Sequence, residues 1–347
     1  MTDSVPKLTA QIKAQGCAAK ISASQLHEIV NGLPEFSAPE LLTTIRSFED
    51  AAVYKLSDDL AIVQTIDFFP PPVDDPFLFG RIAAVNALSD IYAMGAEPKL
   101  ALGILCFPVC DLPLSVAQEI VRGGAAALKD AGAVLAGGHS IQGPEPLYGL
   151  AATGIIDPQK ILTNSGAKSG DALVLTKAIG TGALLLAHKG GLLEKQAADQ
   201  LFTAMTQLNK QALQIGKKYW LHAATDVTGF GMIGHVHEMA KGSGLKARLN
   251  AGNVPLLNDA RSFAEQGLVP AGAYANRNSY KEIAYINDEI DLALTDLLFD
   301  PQTSGGLLFA LEQAAAERLC ADLQRAGLVG AIIGHFENGA SGQVEVA

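Results

Sequence analysis

The sequence predicts an α+β protein with two domains. Three observations favour this class: a length of 347 residues, a hydrophobic content of 49%, and a mixture of strand-like and helix-like segments in both halves. At about 150 residues per domain, the length suggests two domains. The hydrophobic content is enough for real cores, and a charged fraction of 18% is too low for a disordered chain.

The first half alternates strands with long helices. A helix is predicted near residues 22–31, with Ser22 or Ser24 as its cap. The turn SDD then joins two strands into a hairpin. Asp75 and Pro76 form the N-cap and first residue of a helix that stops at Gly95. The remaining elements of this half are the strand KLALGILCF, a second long helix that ends in glycine, and the strands AVLAGGHSI and LYGLAATGII.

A change in composition at residues 157–171, DPQKILTNSGAKSGD, marks a domain boundary. The second half opens with the strand ALVLTK and a glycine-rich turn into a helix. One long amphipathic helix is predicted over about residues 195–217. A turn and helix in ATDVTGFGMIGHVHEMAKGSG, a turn in LLFDPQTSGGLLFAL, a helix near 313–326 and two closing strands complete the chain.

Charge and composition exclude several classes of function. The net charge is −11 and the pI is near 5.1, so the chain has no basic excess with which to bind nucleic acid or an anionic membrane. No apolar run of about 18 residues is present, and the N-terminus lacks the apolar core of a signal peptide. We therefore expect a cytoplasmic protein. Its cysteines fall into two groups: Cys106, Cys110 and Cys320 are predicted to be inert packing residues, and Cys17 has no such explanation.

Isolated aspartates at the ends of elements are the first candidates for chemistry, because phosphate loops and hydrolase motifs are absent from the sequence. Asp50 and Asp226 alone are each compatible with a cap or a turn, whereas Asp67, followed by two Phe at a strand end, fits a plain turn poorly. Asp90 is compatible with neither, because it lies within an apolar helix, where a buried carboxylate needs a partner. Convergent carboxylates repel by roughly 4 kcal/mol per pair at about 4 Å and an effective dielectric near 20. A divalent cation such as Mg²⁺ would turn that repulsion into ligation, and would let an acidic protein bind ATP.

Two histidine-containing segments leave alternatives open. In AGGHS, residues 136–140, the consecutive glycines either cradle an anion with their N–H groups or form a plain strand and turn. His235 and His237 lie two residues apart on a predicted helix, so they do not share a face. We interpret them as surface or packing residues.

Together, the segments GCAAK, EDAAVY, TIDFFPPPVDDPFLFGRIAAVNALSDIYAMGAEP, LAGGHSI, ATDVTGFGMIGH and DPQTSGGLL resemble the selenophosphate synthetase (selenide, water dikinase) family. TDVTGFG and DPQTSGG are also similar to motifs of the wider superfamily of aminoimidazole ribonucleotide synthetases. The N-terminal Cys-x-x-Lys narrows the resemblance to the selenophosphate synthetases within that superfamily. It implies synthesis of selenophosphate from ATP, selenide and water, with release of AMP and orthophosphate. It also implies a homodimer whose N-terminal domains pair through their sheets, with an ATP site shared between subunits.

The resemblance implies three parts and a set of site residues. The parts are a mobile N-terminal segment with the catalytic Cys and Lys (1–45), an N-terminal domain for ATP, metal and dimerisation (46–157), and a C-terminal α/β sandwich-type domain (165–347). Cys17 and Lys20 match the catalytic pair. Asp50, Asp90 and Asp226 match the Mg²⁺ ligands. The nucleotide-binding matches are Lys20, Ser47, Phe48, Glu49, Asp67, Asp90, Gly138, His139 and Ser140, of which the last three match a loop that reaches ATP from the partner subunit.

The N-terminal motif raises a question about reactivity. A thiol with a pKa of about 8.5 is only a few per cent thiolate at pH 7, and Lys20 is expected to raise that fraction. Many relatives carry a second cysteine where this chain has Ala19, so no disulfide between neighbouring residues is possible here. Two rival functions stay open: another ATP-dependent synthetase or kinase of the superfamily, and a non-catalytic, nucleotide-gated carrier of selenium or persulfide.

Overall fold

The computed structural model describes residues 7–10, 12–34, 37–45 and 47–347, with the backbone alone at His27. Two β-sheets, one on each side of residues 157–170, carry most of this part of the chain. Helices cover both sheets, and the predicted α+β class with two domains is confirmed.

The N-terminal segment is packed against the rest of the molecule. It contains two short 3₁₀ helices, Leu8–Ala10 and Gly16–Ala19, followed by helix α1, Ala23–Asn31. Leu8, Ile12 and Cys17 are buried. These contacts describe a docked position of the segment, and its mobility stays a prediction.

The first sheet has five strands in the order β1-β2-β5-β3-β4. Their bounds are β1 Ala52–Lys55, β2 Ala61–Phe69, β3 Glu97–Phe107, β4 Val134–Gln142 and β5 Leu147–Ile156. Strands β1 and β2 form the predicted antiparallel hairpin, whereas β3 and β4 run parallel. Two helices, α2 Pro76–Ala93 and α3 Leu114–Ala131, pack together and cover one face of this sheet. A helical crossover joins β3 to β4, as a parallel pair requires.

Helix α2 begins and ends where the sequence predicts. The Asp75 side chain accepts a hydrogen bond from the Leu78 N–H at 2.8 Å, and Pro76 is the first helical residue. Gly95, with φ of 75°, follows its end. Most of its surface is buried, which puts the polar residue Asn86 inside the molecule and leaves Asp90 half-buried.

The second sheet has seven strands in the order β7-β10-β6-β11-β8-β12-β9. Their bounds are β6 Asp171–Leu175, β7 Ala223–Asp226, β8 Lys246–Leu249, β9 Ala284–Ile286, β10 Leu307–Glu312, β11 Ala331–Glu337 and β12 Val344–Val346. Alternate residues of β10 lie in different hydrophobic clusters. Phe309 belongs to the cluster that includes residues of α2 and α3, and Leu308 belongs to a cluster of residues from the second half of the chain. The central strands are therefore buried on both faces, and one core connects the two halves.

The predicted long helix over 195–217 is wrong. The helices of this half are α4 Thr181–Lys189, α5 Lys195–Thr206, α6 Lys210–Gly216, α7 Gly231–Gly242, α8 Ala260–Glu265, α9 Ala271–Tyr280, α10 Leu292–Phe299 and α11 Gln313–Arg325. The chain breaks between α5 and α6, where Asn209 is buried and its amide donates to Ser89 Oγ and the Gly305 carbonyl at 2.8 and 2.9 Å. These long-range bonds outweigh the local helical pattern.

Two further expectations need correction. Cys110 is exposed, unlike the buried Cys106 and Cys320, so it is not a packing residue. The segment AGGHS is neither a loop nor a turn but part of the edge strand β4. Across the described ranges, no helix combines the length and hydropathy needed to span a bilayer.

Close approach of α2 and α3 at Gly80 generates a testable prediction. A Cβ added at Gly80 would lie 1.8 Å from the Ile120 carbonyl oxygen, so Gly80→Ala forces the helices apart. We expect the free energy of unfolding, measured in urea, to fall by about 1–3 kcal/mol. Gly32→Ala is the control, because no atom lies within 4 Å of the added Cβ, and equal stability of both variants would contradict the packing argument.

Candidate active site beneath the N-terminal segment

Residues 16–20 dock on a turn of the C-terminal half. The Gly16 N–H donates to the Pro70 carbonyl at 3.2 Å, and the Cys17 N–H donates to Thr303 Oγ1 at 3.2 Å. Gly16 has φ of 49°, and a Cβ there would lie 2.5 Å from Thr303 Oγ1, so both conformation and space require glycine. Residues 300–306 thus form a floor for the segment.

Cys17 is a buried thiol in this docked position. It is 1% exposed, and its Sγ donates to Asn86 Oδ1 at 3.3 Å. Burial raises the pKa of Cys17 to about 12, although the neighbouring Lys20 opposes this shift. The lysine therefore acts in the predicted direction, but burial outweighs it and keeps the sulfur protonated at neutral pH.

Lys20 forms an ion pair with Asp67. Its Nζ lies 2.9 Å from Asp67 Oδ2, and the carboxylate also accepts from Asn86 Nδ2 at 2.6 Å. Burial is the largest contribution and disfavours the ammonium's charge, but the charges of Asp67, Cys17 and Asp90 together outweigh it, so the net pKa of Lys20 is raised. Gly229 makes room for this arrangement, since a Cβ there would lie 2.7 Å from Lys20 Cδ. The structure thus brings Cys17, Lys20, Asp67 and Asn86 together.

Three more carboxylates lie near this ion pair on separate elements. Asp50 precedes β1 and accepts from Thr225 Oγ1 at 2.8 Å, whereas Asp90 on α2 accepts from Thr65 Oγ1 at 2.5 Å. Asp226 ends β7. The pKa of all three is raised, first by burial; the pKa values of Asp50 and Asp90 are raised further by the charge of Asp226. This is the electrostatic cost expected where carboxylates are gathered without a cation.

The donor set fits a divalent cation that arrives with a nucleotide. Among the described residues, Asp50 Oδ2 and Asp226 Oδ2 are buried without a hydrogen-bond partner. The same residues contain no group of three or more His, Cys, Asp or Glu side chains that could hold a metal ion alone. Because Mg²⁺ is commonly bound by one or two carboxylates together with phosphate and water, unpaired carboxylate oxygens suit it without a complete protein cage.

The predicted nucleotide residues 47–49 occupy a bend between the halves. Ser47 Oγ donates to the Thr44 carbonyl at 2.8 Å, and Glu49 Oε2 accepts from the Asn164 N–H at 2.8 Å. Phe48 has φ of 51°, and its carbonyl accepts from Asn164 Nδ2 at 2.7 Å. Ser47 and Phe48 also line a cavity of about 480 Å³, whose far wall includes Tyr280. The bend is therefore held by hydrogen bonds from the interdomain connection.

Gly138, His139 and Ser140 are not near this site within one chain. They lie on β4, at the opposite edge of the first sheet from β1, and all three are exposed. A Cβ at Gly138 would lie 2.1 Å from the Gly103 carbonyl oxygen, so this glycine permits close strand contact. Close strand packing is thus one reason for glycine at position 138.

Several residues of the site were missed by the sequence analysis. Thr303 and Ser304 contact Cys17 and Asn86, and the Ser304 N–H donates to Asn86 Oδ1 at 2.9 Å. Lys177 is buried, and its Nζ donates to the carbonyls of Gln207 and Ser304 at 2.7 and 2.8 Å. Burial lowers the pKa of Lys177 to about 7. A lysine two residues after the apolar strand β6 was the available signal.

The interpretation of the two histidines as surface or packing residues fits their positions. His235 is buried, and its Nε2 accepts from the Thr228 N–H at 3.1 Å, which holds the turn after Asp226. His237 contacts the Gly342 carbonyl through Nδ1 at 2.6 Å. Neither contacts the Cys17–Lys20 pair.

Family models match both halves of the chain. The model for the AIR synthase related protein N-terminal domain matches residues 48–156, and the model for the C-terminal domain matches residues 168–347. Among solved structures, the chain is similar to thiamine-monophosphate kinase from Stenotrophomonas maltophilia, with a TM-score of 0.65, 19% identity, and coverage of 94% of this chain and 96% of that one. It is also similar to hydrogenase maturation protein HypE in complex with ATP, with a TM-score of 0.61, 20% identity, and coverage of 95% and 93%. These likenesses confirm the fold.

Curated relatives are much more similar in sequence. The chain is 45% identical to selenide, water dikinase of Pelobacter propionicus over 328 residues, which cover 94% of both chains. It is 43% identical to selenide, water dikinase of Myxococcus xanthus over 343 residues, which cover 98% of this chain and 97% of that protein. The chain therefore belongs to the selenide, water dikinase family, within the AIR synthase related proteins.

Proposed function

We propose that this chain synthesises selenophosphate from selenide, ATP and water, and releases AMP and orthophosphate. The observation that carries the proposal is the convergence of a thiol and an ammonium on Asn86 and Asp67, next to three further carboxylates. Cys17 and Lys20 both contact the Asn86–Asp67 pair, through bonds of 3.3 and 2.9 Å. Relatives with 42–45% identity carry the same activity in their names.

Each side chain has a distinct part in this reaction. Lys20 would offset phosphate charge during transfer, because its ion pair with Asp67 keeps it protonated. Asp50, Asp90 and Asp226 would hold a divalent cation, for which we propose Mg²⁺. Such a cation, when bound, neutralises and orients a triphosphate. Cys17 would guide selenide or hold it without a covalent S–Se bond, as a single thiol, since Ala19 provides no second one.

Exchange of substrates would require the N-terminal segment to move. Cys17 is buried and Lys20 lies over Asp67, so the docked segment closes the site from one side. A lid that closes over reacting groups excludes water and completes the catalytic set. We therefore propose that residues 1–45 alternate between docked and open positions, and that Ser47, Phe48 and Glu49 contact the nucleotide beside them.

A homodimer would complete the nucleotide site. The face of the first sheet that α2 and α3 leave uncovered carries exposed apolar side chains: Ile66, Leu102 and Ile141 are 62%, 45% and 58% exposed. Ile66 and Leu102 lie in one row, because both pair with Ala151 across β5. Pairing of two such faces would bury them, and could bring Gly138, His139 and Ser140 of the partner to the ATP. A cytoplasmic location stays a prediction.

The reaction is tested by anaerobic ³¹P NMR with ATP and selenide. We expect a Se–P signal and AMP formation that depends on selenide, and Cys17→Ser should lose both because the soft nucleophile is gone. Cys110→Ser, which removes an exposed thiol, is the matched control. ADP as the stable product, or full selenide-dependent activity of Cys17→Ser, would contradict the proposal. ATP turnover without selenide would favour another kinase of the superfamily, and selenium loading without ATP consumption would favour a carrier.

The proposed cation site predicts an effect on stability. At a concentration 100 times its Kd, a Mg²⁺ complex of a non-hydrolysable ATP analogue should stabilise the folded protein by about 2.7 kcal/mol, seen as a raised Tm. Asp226→Asn should lose most of this shift. Its own Tm without ligand should not fall, because the change removes a buried charge that raises the pKa of Asp50 and Asp90. Asp58→Asn, at a 99% exposed side chain, should keep the full shift, and an equal loss in both variants would argue against the site.

The proposed dimer is tested by light scattering after size-exclusion chromatography. Wild type should elute as a dimer and Ile66→Glu as a monomer, because a charge in the interface is not solvated. Leu192→Glu, which is exposed on the C-terminal half, should leave the mass unchanged. Mixing Cys17→Ser with His139→Ala subunits should restore part of the activity, since one mixed site is then intact. Failure of that complementation would contradict the proposal that the two subunits share an ATP site.

A further inference from the structure

A second cavity lies beside the Cys17 segment, apart from the carboxylates. Its volume is about 300 Å³. It is bounded by the N-terminal segment, by helix α4 and by the start of helix α9. Its lining residues are Lys13, Ala14, Gln15, Ala18, Gly182, Leu185, Leu186, Lys189, Val269, Pro270, Ala271, Gly272, Pro301 and Thr303. Neither Lys20 nor any aspartate of the candidate active site belongs to this lining.

The charge of this cavity differs from that of the whole protein. Lys13 and Lys189 are its ionisable lining residues, and no carboxylate lines it, although the chain carries a net charge of −11. Lys189 Nζ lies 3.4 Å from the Ile12 carbonyl. Within the described ranges, neither lysine forms an ion pair. The two ammonium groups therefore create a positive opening on an acidic molecule, which attracts small anions.

The cavity is lined by residues that contact or adjoin Cys17. Thr303 forms part of its wall, and its Oγ1 accepts from the Cys17 N–H at 3.2 Å. Ala18, the next residue along the chain, lines the same wall, and its Cα lies 3.4 Å from where a Cβ of Gly272 would be. One layer of residues thus separates the cavity from Cys17.

The other approach to Cys17 is unfavourable for an anion. Asp67 lies directly behind Asn86, and Asp90 and Asp226 follow it within electrostatic range. A triphosphate would enter that side only with cations. A monoanion without a cation is repelled there, because like charges in a partly buried site interact more strongly than in water.

We infer that the Lys13–Lys189 cavity is the site where hydroselenide (HSe⁻), the small monoanion that selenide forms at neutral pH, binds on its way to Cys17. This inference rests on the proposed function and assigns its second substrate to a separate place. Two ammonium groups and the Thr303 hydroxyl supply the attraction. The apolar walls around Leu185 and Leu186 suit a polarisable, weakly hydrated anion better than phosphate, which needs many hydrogen-bond donors.

Steady-state kinetics of AMP release separate the two substrates. The double variant Lys13→Gln, Lys189→Gln should raise the KM for selenide about tenfold, because steering by charge is lost, and should leave the KM for ATP unchanged. Ala271→Phe, which fills the cavity from an exposed position, should also raise the KM for selenide. The controls are Lys99→Gln with Lys195→Gln for charge, and Ala275→Phe for bulk one turn further along α9.

A labelling experiment tests the cavity without selenide turnover. Alkylation of Cys17 by the anion iodoacetate and by neutral iodoacetamide is quantified by mass spectrometry, with the exposed Cys110 as internal reference. We expect the iodoacetate preference of Cys17 to exceed that of Cys110 and to disappear in the double lysine variant.

The outcomes distinguish this inference from the proposed function. A lysine variant with unchanged KM for selenide, or with equal increases for selenide and ATP, would overturn the selenide site while the dikinase activity stands. Equal iodoacetate preference in wild type and variant would also overturn it. If wild type forms no AMP in response to selenide, the proposed function fails, and with it the assignment of selenide, although the labelling preference would still identify an anion site.

Discussion

The arrangement of this molecule depends on one electrostatic constraint, which is the gathering of several carboxylates around the Lys20 ammonium. Lys20 pairs directly with Asp67, and its charge also acts on Asp90 and Asp226. Asp50, Asp90 and Asp226 are left with raised pKa values because burial and mutual repulsion oppose their ionisation. A folded protein retains such a costly group when another component, here a nucleotide with its cation, relieves the repulsion. In the docked position, the N-terminal segment supplies part of this positive charge through Lys20.

The amide of Asn86 connects the parts of the site. Its nitrogen donates to Asp67, and its oxygen accepts from both the Cys17 thiol and the Ser304 N–H. One side chain on α2 therefore contacts the first sheet, the N-terminal segment and the turn before β10. Ser304 is held in turn by Lys177 through its carbonyl. Movement of the segment would remove one bond from this network and leave the others in place, so the floor of the site stays formed when the segment opens.

Local chemistry explains which features the sequence predicted. The Asp75–Pro76 start of α2, the glycine at its end and the hairpin of β1 and β2 depend on neighbouring residues, so they were found. The break between α5 and α6 depends on bonds from Asn209 to Ser89 and Gly305, which lie 120 and 96 residues away, and no local pattern encodes them. The contact of Cys17 with Thr303 spans 286 residues. The candidate aspartates were identified because a carboxylate among apolar residues is unusual, whereas Thr303 and Lys177 look ordinary until the fold brings them to the site.

The docked thiol of Cys17 is buried and protonated, whereas a nucleophile must be a thiolate. The order of contributions to the pKa of Cys17 resolves this conflict. Burial is the largest, and Lys20 is the largest opposing one. Lys20 lies three residues away on the same segment, so it would stay near Cys17 if the segment opened. The burial of the thiol would be lost. In the proposed opening, the contribution that raises the pKa would be lost and the one that lowers it retained, so the thiolate would form where solvent has access. Docking would then return the sulfur to its buried position beside Asn86. With Ala19 in place of a second cysteine, this single thiol would serve in both positions, and the proposed movement would supply the change in reactivity that a dithiol pair otherwise provides.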